Sequence, residues 1–220
     1  MSTTLVQPQT PAVAPSVAAP PAAALSDVPS PRLAQFSIEQ YHQIVAAGVF
    51  GMEQPPRRIE FLEGVFVEMS AVGYRHRQVI DELMYWALGA FPRDAWHASV
   101  QQPIQLINSR SVPEPDLAIY RPGGWGGNHP KAEHAGLVIE VADSTLVLDL
   151  GYKMRLYAKG GVAEYWVCDV ANKTIVVHRA PENGRYGSIE SFTGNATVAP
   201  LALPTAVVTP EAIFGGSHES

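Results

Sequence analysis

Apolar positions recur along the chain with two different periods. Tyr41, Ile44 and Val45 follow Ser37 and Gln40, the two ends of a capping box, and predict a short helix closed at Gly48. Ile59–Leu62 and Val65–Met69 flank Glu63-Gly64 and predict a hairpin. Val79, Ile80, Leu83, Met84 and Ala87 then return at helical spacing. Trp96–Ile107 alternates as a strand, with Pro103 marking an edge or a bulge, and Asp116–Tyr120 forms the next strand. Leu137–Val141 is a continuous apolar run apart from Glu140, and a helix follows from about Asp149 to Lys159, closed by Gly160-Gly161. Ala163–Asp169 and Thr174–Arg179 pair around Asn172, with weaker strand signals near Tyr186–Phe192 and Thr205–Val208. Helices, strands, a crossover helix and strands again describe a mixed-sheet α/β domain.

Composition changes this picture at the N-terminus. Residues 1–31 hold seven of the 19 prolines, many alanines and a single charge, Asp27. Proline fixes φ and removes a backbone donor, so this segment suits neither a regular helix nor a central strand. It has no Lys or Arg before Arg32, and its prolines interrupt every apolar run, which sets it apart from an export signal. The expected organisation is a disordered Pro/Ala-rich tail over 1–34 and one domain over 35–220, placed in the cytoplasm. No run approaches the ~20 apolar residues of a membrane helix. The single cysteine, Cys168, supports neither an internal disulfide nor a cysteine-based zinc site. With 15 Lys+Arg against 21 Asp+Glu, a nucleic-acid partner requires a local basic patch, and Arg57, Arg58, Arg75 and Arg77 are the densest cluster available.

Glu140 is the residue that does not belong in its surroundings. In Leu137-Val138-Ile139-Glu140-Val141-Ala142 it shares a strand face with Val138 and Ala142, and a strand apolar on both faces is covered on both. An unpaired carboxylate there costs several kcal/mol unless a cation meets it. It is either half of a buried ion pair or a metal ligand or catalytic acid. Asp116, after Pro115 at the head of another apolar strand, adds a second carboxylate beside the core. Two carboxylates on neighbouring strands suit a hard divalent cation such as Mg²⁺. Asp149, Lys153 and Tyr157 line one face of the following helix. Asp149 and Lys153 make either a surface ion pair or, if the face turns inward, a source of positive charge for the carboxylates.

Pro115-Asp116, Glu140-Val141-Ala142-Asp143-Ser144, Asp149-x-x-x-Lys153 and Tyr157-Ala158-x-Gly160-Gly161-Val162-x-Glu164-Tyr165-Trp166-x-x-Asp169 together resemble the Uma-type putative restriction endonuclease family of the PD-(D/E)XK nuclease superfamily. Glu60-x-x-Glu63-Gly64 and His76 fit the same pattern, and the resemblance runs from about Phe36 to beyond Arg179. It implies a restriction-endonuclease-like mixed β-sheet flanked by helices, and Mg²⁺-dependent hydrolysis of phosphodiesters in nucleic acid, DNA first, with Mn²⁺ able to substitute. By the same resemblance Asp116 and Glu140 bind the metal. Lys153 orients or helps deprotonate the attacking water. Glu60, His76 and Asp149 stand as auxiliary groups, and two-fold cutters of this kind often form homodimers.

The superfamily lysine normally stands two residues after the strand glutamate. That position here is Ala142, and the similar family carries its lysine on the next helix instead, at Lys153 in this chain. Other readings stay open at the sequence level. His76 is either a packed histidine or a phosphate donor, Glu60 lies either on a solvated face or in the site, and Glu63 reads as turn chemistry. Cys168 reads as inert core, and His129 and His134 are not assigned to zinc. The alternative function is a non-catalytic nucleic-acid-binding or regulatory module on the same fold, with Glu140 paired to Lys153 structurally.

Overall fold

Ser37 opens the first helix as predicted: its hydroxyl accepts from the Gln40 N–H, and the Gln40 side chain accepts from the Ser37 N–H. The protein is described by a computed structural model over residues 32–50, 57–123 and 129–215. Most of the predicted tail, and the glycines between Gly123 and His129, lie outside the described residues. Ala34–Ser220 is grouped as one compact unit. Among the described residues no helix is long and apolar enough to cross a membrane.

Helix α1 (Ile38–Ala46) is followed by the hairpin β1 (Ile59–Leu62) and β2 (Val65–Glu68), and by the long helix α2 (Tyr74–Ala90). The hairpin turn takes Glu63 and Gly64 into the left-handed region, at φ 48° and 85°. A Cβ at Gly64 would also lie 3.1 Å from the Phe36 carbonyl oxygen, so the predicted turn needs this glycine twice over. The main sheet has six strands in sequential order: β3 (His97–Val100), β4 (Leu117–Tyr120), β5 (Ala135–Ala142), β6 (Glu164–Asp169), β7 (Thr174–Glu182) and β8 (Arg185–Thr193). Only β5 and β6 run parallel; the other neighbours are antiparallel. The crossover between β5 and β6 is a turn of π-helix (Leu148–Lys153) running into α3 (Met154–Gly160), and α4 (Pro210–Phe214) closes the described chain.

The two faces of the sheet bury different residues, as the period of two requires. On one face Leu117, Ile119, Leu137, Ile139, Val141, Trp166 and Cys168 pack against Val79, Ile80, Leu83 and Ala87 of α2 and Ile213 of α4. On the other, Ala118, Tyr120, Val138, Ala142, Tyr165 and Val167 pack against Leu156, Tyr157 and Ala158 of α3. Cys168 is fully buried within the first layer.

The expected strand over Trp96–Ile107 is real only as far as Val100. Gln101 turns to φ 50°, its N–H is taken by the Pro115 and Asp116 carbonyls, and the chain leaves the sheet. The signal near Thr205–Val208 amounts to a single bridge, Val198 to Val208.

Candidate active site

Strand register alone sets the two carboxylates side by side. Leu117 pairs with Ile139 and Ala118 with Val138. Carrying that antiparallel register one step further puts Asp116 opposite Glu140, both on the face covered by α3. Directly opposed residues on one face hold their Cβ atoms ~5 Å apart. The sheet ties them further, because Asp116 Oδ2 accepts the N–H of Val141, the residue after Glu140, at 2.9 Å.

The cation comes from the crossover. Lys153 is the last residue of the π-helical turn, and its Nζ donates to Glu140 Oε1 at 2.9 Å and to Glu60 Oε1 at 3.0 Å. Tyr157, one turn on in α3, donates its hydroxyl to the same Glu140 oxygen at 2.7 Å. Burial holds that phenol well above its ordinary pKa, so it stays an O–H donor. Glu60, Asp116, Glu140 and Lys153 are each no more than 3 % exposed. The solvated-face reading of Glu60 is therefore wrong: both faces of β1 are covered, with Phe61 packed on Tyr41 and Val112 on one side and Glu60 turned to Lys153 on the other.

Charge in the cluster is unbalanced, with two carboxylates sharing one ammonium. Burial pushes the Glu140 carboxyl well above the usual range, and the Lys153 charge beside it only partly opposes this. Lys153 itself is disfavoured as a cation by burial, but Glu140 and Glu60 outweigh that and raise its pKa. Asp116 goes the other way. Burial opposes its charge, yet the His76 hydrogen bond and charge and the Val141 N–H hold it below the usual range. His76 Nε2 lies 3.0 Å from Asp116 Oδ1, and Gln101 Nε2 donates to the same oxygen at 3.3 Å.

Asp149 joins the cluster electrostatically without bonding Lys153. It is buried, accepts from the Thr145 hydroxyl, and its backbone carbonyl accepts from Tyr165. Of the two readings of Asp149 and Lys153 the inward one holds: both are buried, Lys153 meets the carboxylates, and the Asp149 carboxylate turns to Thr145. Glu63 sits in the hairpin turn as expected, with Lys159 at 3.2 Å and the Tyr152 hydroxyl at 3.3 Å. Arg75 pairs with Asp143 at 3.0 Å, and Arg57 with Glu68 at 3.5 Å. His134 accepts from the Lys131 N–H, while His129 stacks against His42. Gln101, Thr145 and Tyr165 were not legible in advance, because a glutamine after a strand and a threonine in a loop carry no pattern of their own.

A divalent cation fits this donor set. The oxygens are hard carboxylate ligands, and Glu60 Oε2 is buried without any hydrogen-bond partner, an orphaned acceptor inside the cluster. Among the described residues no group of three or more His, Cys, Asp or Glu is spaced to hold an ion by itself. A cation here would take one or two carboxylates and complete its shell with water and phosphate oxygens, the usual manner of Mg²⁺.

The model of a family described as Uma2, putative restriction endonuclease, matches residues 38–211. The fold is similar to the crystal structure of a putative nuclease belonging to DUF820 from Anabaena variabilis ATCC 29413, at 16% identity and a TM-score of 0.61, covering 82% of this chain and 98% of that one. At that identity the likeness is one of fold. No curated protein matches the chain.

Proposed function

The chain belongs to the Uma2 family of putative restriction endonucleases, and from that premise we propose that it is a Mg²⁺-dependent endonuclease hydrolysing phosphodiester bonds in DNA. The observation that carries this reading is the Asp116 carboxylate held by the Val141 N–H next to Glu140, with the Lys153 ammonium 2.9 Å from Glu140. Asp116 and Glu140 would hold the ion, with the unpartnered oxygen of Glu60 as a further ligand or an acceptor for a bound water. When bound, Mg²⁺ supplies Lewis-acid polarisation of the phosphate and a lowered pKa for its water.

The protein's own groups do the rest. Among the described residues Lys153 is the ammonium that bonds the cluster carboxylates, and its Nζ can turn from Glu60 to a phosphate oxygen without leaving Glu140, where it stabilises charge as it develops. His76 and Gln101 fix the Asp116 carboxylate, so its remaining lone pair keeps one direction. Arg75 and Arg77 flank His76 on the exposed side of α2 and supply backbone-phosphate contacts to an otherwise acidic molecule.

The test is cleavage of supercoiled plasmid DNA with Mg²⁺ and with Mn²⁺. Asp116→Asn and Glu140→Gln, shown to be folded by circular dichroism, are expected to lose activity by at least a hundredfold. Wild-type rates in both variants would overturn the assignment. One observation favours a second reading: Lys153 already bonds both Glu60 and Glu140, as a purely structural ion triad would. That non-catalytic DNA-binding module would bind DNA with no metal requirement and no cleavage.

A further inference from the structure

A cavity of about 440 Å³ is lined by Tyr41, Phe50, Phe66, Arg58, Glu114 and His129 among others. Its size falls within the ~300–1,000 Å³ of small-ligand pockets. Its place in the chain fixes where it sits relative to the site. Arg58 stands two residues before Glu60, and Glu114 two residues before Asp116. Two extended residues span at most ~7 Å, so the backbone of Arg58 and of Glu114 lies within that distance of the backbone of Glu60 and of Asp116. The charges felt by the half-buried Glu114 agree: Glu60 and Lys153 act on it, together with Arg58.

The lining has the chemistry of a receptor for one planar, polar-edged ring. Phe50 and Phe66 lie 4.8 Å apart between centroids at 52°, and Tyr41 lies 6.1 Å from Phe66 at 28°, forming an aromatic wall. Arg58 supplies a cation for a phosphate or a stacked ring face. Glu114 supplies an acceptor suited to an exocyclic amine. A wholly apolar ligand would leave Glu114 and Arg58 without new partners, and a bare phosphate would leave the aromatic wall unused.

We propose that this cavity receives a single unstacked nucleobase from the strand whose phosphate lies at Asp116 and Glu140, with the aromatic wall against its face and Glu114 accepting from an amine on its edge. The inference rests on the nuclease reading, which supplies the strand. A base drawn out of its stack pins the neighbouring phosphate, so the same contact positions the reacting group and favours sites where a base is already unpaired.

The test uses the full-length protein without metal. Deoxycytidine 5′-monophosphate, thymidine 5′-monophosphate and 2-deoxyribose 5-phosphate are titrated by ligand-observed NMR, against wild type and against Phe50→Ala and Glu114→Gln, each checked by thermal melting. The cytidine nucleotide is expected to bind at least tenfold more tightly than the sugar phosphate. Phe50→Ala should weaken it about tenfold, and Glu114→Gln should narrow its advantage over thymidine monophosphate. Equal binding of nucleotide and sugar phosphate would overturn the proposal, as would nucleotide affinity untouched by Phe50→Ala or no nucleotide binding to folded wild type. Plasmid cleavage reports separately: cutting that persists without nucleotide binding removes the base pocket alone, and nucleotide binding without cutting removes the nuclease reading and with it the strand at Asp116 and Glu140, leaving a nucleotide pocket of another role.

Discussion

Lys153 is the residue on which the cluster's charge balance depends. Removing one member of a buried ion pair leaves its partners uncompensated, a cost of ~3–5 kcal/mol. Lys153→Met should therefore lose about that much in urea denaturation at pH 7. The loss should shrink as the pH falls, because Glu140, whose carboxyl burial already holds well above the usual range, then takes up a proton. A second pH effect belongs to Asp149, whose carboxyl burial pushes up from 3.8 to about 6, with Lys153 and the Thr145 hydrogen bond opposing. The folded state then binds more protons than the unfolded chain between those values, so this group's contribution to stability falls as pH rises through the window. The total is on the order of 3 kcal/mol. Asp149→Asn removes that slope. Thermal melts should show the variant gaining on wild type from pH 4 to pH 6.5 and holding a constant lead above it; a difference flat across the range would refute the assignment.

At the scale of elements, alternation along single strands carried most of what could be read from the sequence. Glu140 does share its face with Val138 and Ala142, and the crossover helix does end at Gly160-Gly161, where Gly161 takes φ 87° as a left-handed cap. Gly161→Ala should cost about 1 kcal/mol or more in chemical denaturation, since alanine is strained at that φ. The misses have local causes. Gln101 breaks the strand by a backbone turn two residues before Pro103, which signalled an irregularity there but not that the strand ends. Strand β8 matches its weak signal to one residue at each end; Gly187, Ser188 and Glu190 interrupt the apolar alternation, and pairing with β7 along its length sets the strand. Helix α4 has five residues, too few for a helical period to show, and only its Thr209 cap and Pro210 mark it. Of the candidate site, Glu140 was legible because it violates its surroundings, Asp116 as a second carboxylate at a strand head, and Lys153 through the family resemblance. The burial of Glu60 was not, since a four-residue strand does not say that both of its faces are covered.

For the whole molecule, a net charge of −6 means that binding to a polyanion rests on where the cations lie, not on their number. Arg75 and Arg77 are exposed on either side of His76, which faces Asp116. Replacing both with alanine should weaken DNA binding evenly across sequences and reduce the slope of log K against log salt by up to ~2. Fluorescence anisotropy at several salt concentrations measures this, and an unchanged slope would move the DNA-binding surface elsewhere. The central claim, that Asp116 and Glu140 together hold a divalent cation at a phosphate, is tested most directly by calorimetric titration of Mn²⁺ into the protein bound to a cleavage-resistant phosphorothioate duplex. Wild type should show saturable binding that Glu140→Ala weakens at least tenfold while remaining folded and DNA-bound; equal Mn²⁺ binding by the two proteins, or none by wild type on DNA, would contradict it.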